Sequence, residues 1–457
     1  MPPVDLNWID EFYQHIKSLI FVRREDSLLI IVPNQAYRLN VGAVRLLERM
    51  AGGERIAEIL GDVGDGDGRR QEVHNFFCDL RAALTGCLRE GTGRQAVELV
   101  PYRLPFNTLP VLSEIALTYR CNLSCRFCYA GCTCHRGPQR GEMTTDQVKR
   151  VLEIIRRDAQ VPSVSFTGGE PTLRDDLPAL IAHARSLGLR VNLITNGTRL
   201  TPGRVEALAE ADLNSAQVSL ESASPSQHDR LTQKTGSWER TLSGVQNLTR
   251  AGITCHMNTT LTAPTAAAAP NLVNLACEMG LTRLSMNMVI PTGSADAEHR
   301  DLWLRYGEMG PIVEAVRRRA RSLGIEFLWY SPTPYCLYNP VAHGLGNKGC
   351  AACDGLLSVS PTGDVFPCSS LPVSVGNLLR KDFRAVWNGR RARYYRRKKF
   401  AHKKCRACEK FDLCTGACPI YWKAVGFEEL LAAPPISSDD GRAAPEETKI
   451  QEADRRR

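Results

Sequence analysis

The sequence predicts an α/β protein: a parallel sheet covered by helices, with a small separate unit before it and a cysteine-rich segment after it. Three observations predict this. Strand-like runs and helical patterns alternate six times from residue 112 onward. Residues 1–95 hold strands and helices of their own, and beyond residue 330 periodicity gives way to clustered cysteines. A chain of 457 residues exceeds one ordinary domain, and its 43% hydrophobic and 23% charged content belong to a globular protein with a core.

In the first unit, "FVRRED" and "SLLIIV" read as two strands joined by a turn, with "AYRLN" as a third. "VGAVRLLERMAGG" then sets Val41, Val44, Leu47 and Met50 on one helical face and stops at Gly52-Gly53. A short helix near "RIAEIL" and a longer one through "EVHNFFCDLRAAL" complete a small winged-helix-like module. Cys78 and Cys87 are expected on that last helix, at no ligand spacing, and read as packing residues.

The central strands are "SEIALTY", "SVSFTG", "RVNLITN", "AQVSLE", "TCHMNTTL" and "RLSMNMVI". The first helix between them opens with a capping box at Thr144 and stripes Val148, Val151, Leu152 and Ile155 along one face. Strand–helix repeats of this kind build a parallel sheet, either open or as an incomplete barrel. Ligands of such folds lie beyond the C-terminal strand ends. Residues 330–425 are loop-rich, and the tail 426–457, rich in Pro, Ala and Asp without an apolar face, reads as disordered.

Seventeen cysteines could staple a secreted scaffold, but here they fall in tight clusters within a long chain. The polar N-terminus shows no secretory signal, and no apolar run approaches a membrane span. A reducing cytoplasm with metal-bound thiolates is the expectation. Net charge is +9, and nine Lys and Arg crowd into "GRRARYYRRKKFAHKK". That run reads first as a solvated helical face, then as a docking patch for an acidic partner, with nucleic acid last.

Cys121, Cys125 and Cys128 form a C-x3-C-x2-C triplet directly after the first central strand, one thiol short of a closed four-ligand site. Cys132 and Cys134 trail behind at no ligand spacing and read as inert loop residues, with a redox or substrate-handling pair as the alternative. "CNLSCRFC" after strand one and "TGGEP" after strand two resemble the radical S-adenosylmethionine (SAM) enzymes. The resemblance implies a partial (βα)6 barrel over residues 108–325. Its three cysteines would hold a [4Fe-4S] cluster whose fourth iron is chelated by SAM, and reductive cleavage would then give a 5′-deoxyadenosyl radical. It implies further that Gly168, Gly169 and Glu170 meet the SAM ammonium. Thr195 and Asn196, with Ser219 and Glu221, would lie near its carboxylate and ribose. Pro291 to Gly293 would lie against the adenine, and Tyr129 matches the family's aromatic position.

The later thiols, Cys350 and Cys353, Cys368 in "GDVFPC", then Cys405, Cys408, Cys414 and Cys418, resemble the SPASM extension of these enzymes. The resemblance implies two auxiliary [4Fe-4S] clusters, one on Cys350, Cys353, Cys368 and Cys418 and the other on Cys405, Cys408 and Cys414. The family's further cysteine after the last quartet is missing. Cys336 is the candidate replacement, against an open iron or a non-cysteine ligand. A zinc ribbon is the alternative for this region. "YRLNVGAVRLLERMAGG" with "IAEIL" resembles the PQQ-chaperone-like recognition domain, which captures a leader peptide as an added strand.

Together these resemblances imply a maturase of a ribosomally made precursor peptide, forming a C–C, C–S or C–O bond or an epimer, fed by a donor such as flavodoxin or ferredoxin. Sulfatase maturation is the runner-up, weakened because Ser369 stands where those enzymes carry an aspartate. Tetrapyrrole side-chain modification and a non-catalytic iron–sulfur scaffold are further alternatives. No residue is assignable as general base or radical quencher.

Overall fold

A computed structural model describes residues 4–33, 35–64, 66–85, 104–132 and 141–434. Cys87, Cys134 and the tail beyond 434 lie outside the described residues.

The N-terminal module opens with helix α1 (Trp8–Ile16), which the sequence reading passed over. Its apolar residues recur at helical spacing, and Ile9, Tyr13 and Ile16 are buried. Strands β1 (Ile20–Arg23), β2 (Leu28–Ile31) and β3 (Gln35–Arg38) form an antiparallel sheet in the order β1-β2-β3. The first three residues of β2, "LLI", are buried, whereas β3 pairs, among the described residues, only with β2. Helices α2 (Val41–Ala51), α3 (Ile56–Val63) and α4 (Asp67–Leu84) close the core around Leu29, Leu47, Ile59 and Phe77. Asn40 caps α2 by accepting from the Ala43 N–H at 2.8 Å. Val41 departs from the expected stripe: at the first helical turn it is 61% exposed.

Arg23 fastens this module to the rest of the chain. Only 1% exposed, it pairs with Asp26 at 2.8 Å and donates to the carbonyls of Leu109 and Pro110. Asp26 in turn accepts from the Thr108 N–H at 2.9 Å. Glu25 pairs with Arg384, and Arg156 stacks over the Phe21 ring.

The expected six strands are present as β4 (Leu112–Thr118), β5 (Ser163–Gly168), β6 (Arg190–Thr195), β7 (Ser215–Ser219), β8 (Thr254–Leu261) and β9 (Arg283–Met288), all parallel. The sheet is larger than expected. Strand β10 (Glu326–Trp329) extends it beyond β9, and β11 (Leu356–Val359) pairs in parallel with β4. Strands β12 (Asp364–Phe366) and β13 (Gly376–Asn377) follow in antiparallel, giving ten strands that do not close. The cysteine-rich segment is thus joined to the barrel sheet by backbone hydrogen bonds. Helix α5 (Thr145–Arg157) bears its capping box, with Thr144 and Gln147 bonded reciprocally, and buries the predicted stripe.

Two expectations fail here. The tail was expected to be disordered from residue 426, yet Glu428–Ala432 is helical. One buried leucine, Leu430, and the Lys404 ammonium bound to the carbonyls of Leu430, Leu431 and Ala433 hold it in place. The basic run is not simply a solvated face either. Lys398 is fully buried against Asp354 and the Cys350 carbonyl, and Arg396 binds the carbonyls of Cys353 and Trp387. No helix among the described residues is long and apolar enough to cross a membrane.

Candidate functional site

Strand β4 alternates as a barrel strand should. Ile115 and Leu117 enter the hydrophobic core, while Glu114 faces the opposite way into a cavity of about 310 Å³ at the C-terminal side of the sheet. Cys121, Cys125 and Cys128 line this cavity together with Gly168, Gly169, Thr195, Asn196, Ser219 and Glu221. Residues from three strand ends and one loop, scattered over a hundred positions of sequence, therefore share one chamber.

The loop that carries the triplet is held by close backbone approach. The Gly169 N–H donates to the Thr118 carbonyl at 2.7 Å, and the Glu170 N–H to the Arg120 carbonyl at 2.8 Å. A Cβ on Gly168 or Gly169 would stand 2.2 Å from those same two oxygens, so both positions demand glycine. On the far side, a Cβ on Gly293 would meet the Cys128 and Tyr129 carbonyls at 2.3 Å, and the Ser294 N–H donates to Cys128 at 2.8 Å. The glycines and "IPTG" therefore clamp the cysteine loop from both flanks. Tyr129 reaches over to the Gly168 carbonyl at 3.4 Å.

Glu170 differs from its expected role. Its carboxylate does not line the cavity; it is fully buried behind the wall and accepts from the Thr172 N–H and hydroxyl, the Thr195 hydroxyl and the Asn196 N–H. It braces the end of β6 against the turn after β5. Asn196, so fixed, points its amide at the Cys121 sulfur (3.8 Å) and at Asn122 (2.9 Å).

The thiol environment suits iron ligation. Cys128 is drawn down to about 6 by hydrogen bonds from the Cys132 thiol and from the N–H groups of Cys132, Ala130 and Gly131, against the effect of burial. Burial pushes Cys121 up to about 12 and Cys125 well up. Cys132 is therefore not an inert loop residue: it is buried, faces the cavity and holds Cys128. At the other end, burial pushes Glu221 up to about 8 although the Thr260 N–H binds its Oε2 at 2.8 Å.

His228 was not identified from sequence. It lines the cavity, takes the Glu221 N–H on Nδ1 at 3.1 Å, and so carries its proton on an Nε2 that has no partner. Burial drives it down to about 4, which keeps it neutral. Only its position after "SLES", invisible without the fold, brings it there.

The later cysteines form two groups. Cys336, Cys405, Cys408 and Cys414 line a second cavity of about 300 Å³ with Pro334, Phe411 and Lys404. Burial pushes Cys353, Cys368 and Cys418 up, and the Cys350 thiol adds to the shift of each, as Cys418 does to that of Cys368, so Cys350 stands near all three. Among the described residues no three His, Cys, Asp or Glu side chains converge on a single-ion point. The thiols of the triplet and of the Cys336 group stand around open space.

Comparison with known proteins agrees with this geometry. The signature of the radical SAM superfamily matches residues 115–265, and that of the SPASM iron–sulfur cluster-binding domain matches residues 350–409. An AdoMet-dependent heme synthase of Methanosarcina barkeri is 30% identical over 340 residues, covering 69% of this chain and 93% of the relative. A PqqA peptide cyclase of Streptomyces rochei is 30% identical over 318 residues, covering 66% and 83%. Among solved structures, Streptococcus suis SuiB bound to its precursor peptide SuiA superposes with a TM-score of 0.64 at 19% identity, covering 88% of this chain and 95% of that one. The AdoMet-bound structure of anSMEcpe gives 0.55 at 17%, covering 68% and 89%. The chain belongs to the radical SAM superfamily and carries a SPASM extension. It is an enzyme whose cofactors are SAM and [4Fe-4S] clusters.

Proposed function

We propose that this enzyme modifies a ribosomally made precursor peptide, captured by the N-terminal module and worked on in the β4–β9 cavity. The observation that carries the reading is the module itself, with a β3 edge that is unpaired among the described residues and is of the kind that accepts a peptide as an added strand. The match to SuiB supports it, because coverage of 88% exceeds what the chain beyond residue 95 could supply and must reach into the module. The heme synthase favours the second reading, a tetrapyrrole substrate, by its 30% identity. Yet 93% of that relative is used in the match, which leaves no segment of the module's size.

In this reading Cys121, Cys125 and Cys128 hold the SAM-binding cluster. Thr195, Asn196, Ser219 and Glu221 shape the SAM site, and Gly168 and Gly169 let the wall approach. Cys350, Cys353, Cys368 and Cys418 hold one auxiliary cluster, and Cys336, Cys405, Cys408 and Cys414 the other, with an electron donor such as flavodoxin or ferredoxin. When bound, the cluster on the triplet supplies the electron that cleaves SAM to the radical which takes a hydrogen atom from the peptide. Around it, the chain's own groups orient the partners: Asn196 steadies Cys121, Cys132 holds Cys128, and Glu170 locks the β5 and β6 ends.

The test is mass spectrometry of short peptides encoded beside the gene, incubated with anaerobically reconstituted enzyme, SAM and a reductant. A mass lower by two hydrogens, or an epimer found on hydrolysis, is expected. Turnover of a tetrapyrrole and of none of the peptides would establish the second reading instead.

A further inference from the structure

Glu114 lies at the middle of β4, a strand otherwise filled by Ser, Ile, Ala, Leu and Thr. In register beside it stand Ser165 on β5 and Ser358 on β11. The polar side chains of this level satisfy one another away from β4. Asn192 donates to the Ser165 hydroxyl at 3.3 Å, and the Ser215 hydroxyl donates to Asn192 at 2.9 Å. Glu114 is left outside that chain. Its Oε1 is shut off from bulk solvent and has no hydrogen-bond partner, although the residue lines the cavity that holds the triplet.

A buried carboxylate oxygen without a partner is costly and calls for an explanation. The serines at hand do not supply one: the Ser358 and Ser369 hydroxyls and the Ser369 N–H temper the carboxyl, yet burial dominates and pushes it up. Among the described residues the groups acting on it are those serines, with no cation beside them. Nor does Glu114 belong with the strand-end residues Thr195 and Ser219. It sits two and three strands away from them in the sheet, beside Ser369 and Ser370, which follow Cys368. It therefore borders the part of the cavity between the triplet and the cysteine-rich segment.

We propose that Glu114 is a substrate-binding residue: its free Oε1 accepts a hydrogen bond from an N–H or O–H of the group that enters this part of the cavity. A peptide segment offers such donors along its whole backbone. The inference rests on the reading that this cavity is the reaction chamber, but not on the substrate being a peptide.

The experiment compares reconstituted full-length wild type with Glu114→Gln, which keeps an acceptor oxygen, and Glu114→Leu, which keeps bulk without one. The probe is whichever of two is turned over by wild type: the peptides encoded beside the gene, or the tetrapyrrole of the heme synthases. Leaving a buried substrate donor without its acceptor predicts a KM raised roughly ten- to hundred-fold in the Leu variant, with kcat less affected, and only a few-fold in the Gln variant. Iron content and SAM affinity serve as folding controls and should stay within about two-fold of wild type. A Leu variant with wild-type KM overturns the proposal. So does an equal loss of iron or SAM affinity in both variants, which would make Glu114 a structural brace. If wild type turns over neither probe, the reading of the chamber falls and Glu114 falls with it. If it turns over the tetrapyrrole alone, the peptide reading falls and Glu114 is judged on that substrate.

Discussion

The two thiol-lined cavities are almost the same size, about 310 and 300 Å³, and differ in what surrounds the sulfurs. The first has the three triplet thiols facing a crescent of strand-end polar groups. The second has four thiols, with Pro334, Ala407, Phe411 and Leu430 among its neighbours. Four thiolates complete the protein ligation of a cluster, whereas three leave a position for something else. Volume alone would not separate the two sites. What separates them is the polar wall that faces the triplet; Cys132 brings a fourth thiol to the first cavity too, but it is turned to Cys128.

The largest expected break in this contrast is chemical. Replacing Cys121, Cys125 and Cys128 together by Ala should remove about four irons per reconstituted chain and all 5′-deoxyadenosine formation, sparing the remaining iron. Cys336→Ala should do the reverse, losing iron from the second cavity while SAM is still cleaved. Full iron retention in Cys336→Ala, measured by colorimetric iron assay, would mean that another group closes that site.

A smaller effect tests how the walls are built. Both glycines sit at positive φ (+63° and +77°), so what differs is the space: Gly293→Ala would drive a Cβ to 2.3 Å from two backbone oxygens, whereas Gly416→Ala beside the second cavity meets the Ala401 and Cys405 side chains, at 3.0 Å and beyond. The first should cost on the order of 3 kcal/mol in urea unfolding and weaken SAM binding; the second should cost roughly 1 kcal/mol. Equal costs would show that the cysteine loop yields more easily than its packing suggests.

The smallest effect is a slope. Glu221 is buried and held near 8, above its ordinary value of 4.5, so the folded apoprotein retains a proton that the unfolded chain releases. Its contribution to stability is present below about pH 4.5 and is lost as pH rises through about 8. Glu221→Gln should therefore flatten the decline of the unfolding free energy across that window. An unchanged slope in urea titrations at stepped pH would place the proton elsewhere.

Much of this was legible before any coordinates. Six strands, the capping box at Thr144 and the register of the triplet with "TGGEP" are local patterns, and periodicity reads such patterns well. Partners that meet only through the fold were not legible. Strand β11 was hidden in a loop-rich segment because four residues carry little periodicity, and its pairing with β4 is a long-range event. Glu170 was expected at the SAM ammonium because it completes the family's GGE segment, while its side chain turns inward to four donors. His228, Cys132 and Glu114 acquire meaning only from what lies opposite them. Lys398 shows the same limit: a charge run predicts solvent, and one buried aspartate reverses the prediction for that residue.

The Arg23–Asp26 pair turns the N-terminal module from a tethered hook into a fixed arm. Its guanidinium is spent on the Leu109 and Pro110 carbonyls, at the base of the strand that leads to the triplet. A chain cut back to Leu104 would take the Arg23 donor from both carbonyls, leaving Leu109 to the Asn107 amide, so removing the module is more than removing a tether. If a leader docks on the β3 edge, the span from that edge to the cavity is set by the fold and not by a flexible linker. Such an arm works as a ruler: it would select which residue of the bound chain reaches the radical by counting from the docked segment. Lengthening the peptide between docking segment and target would then shift the modified position by the number of residues inserted.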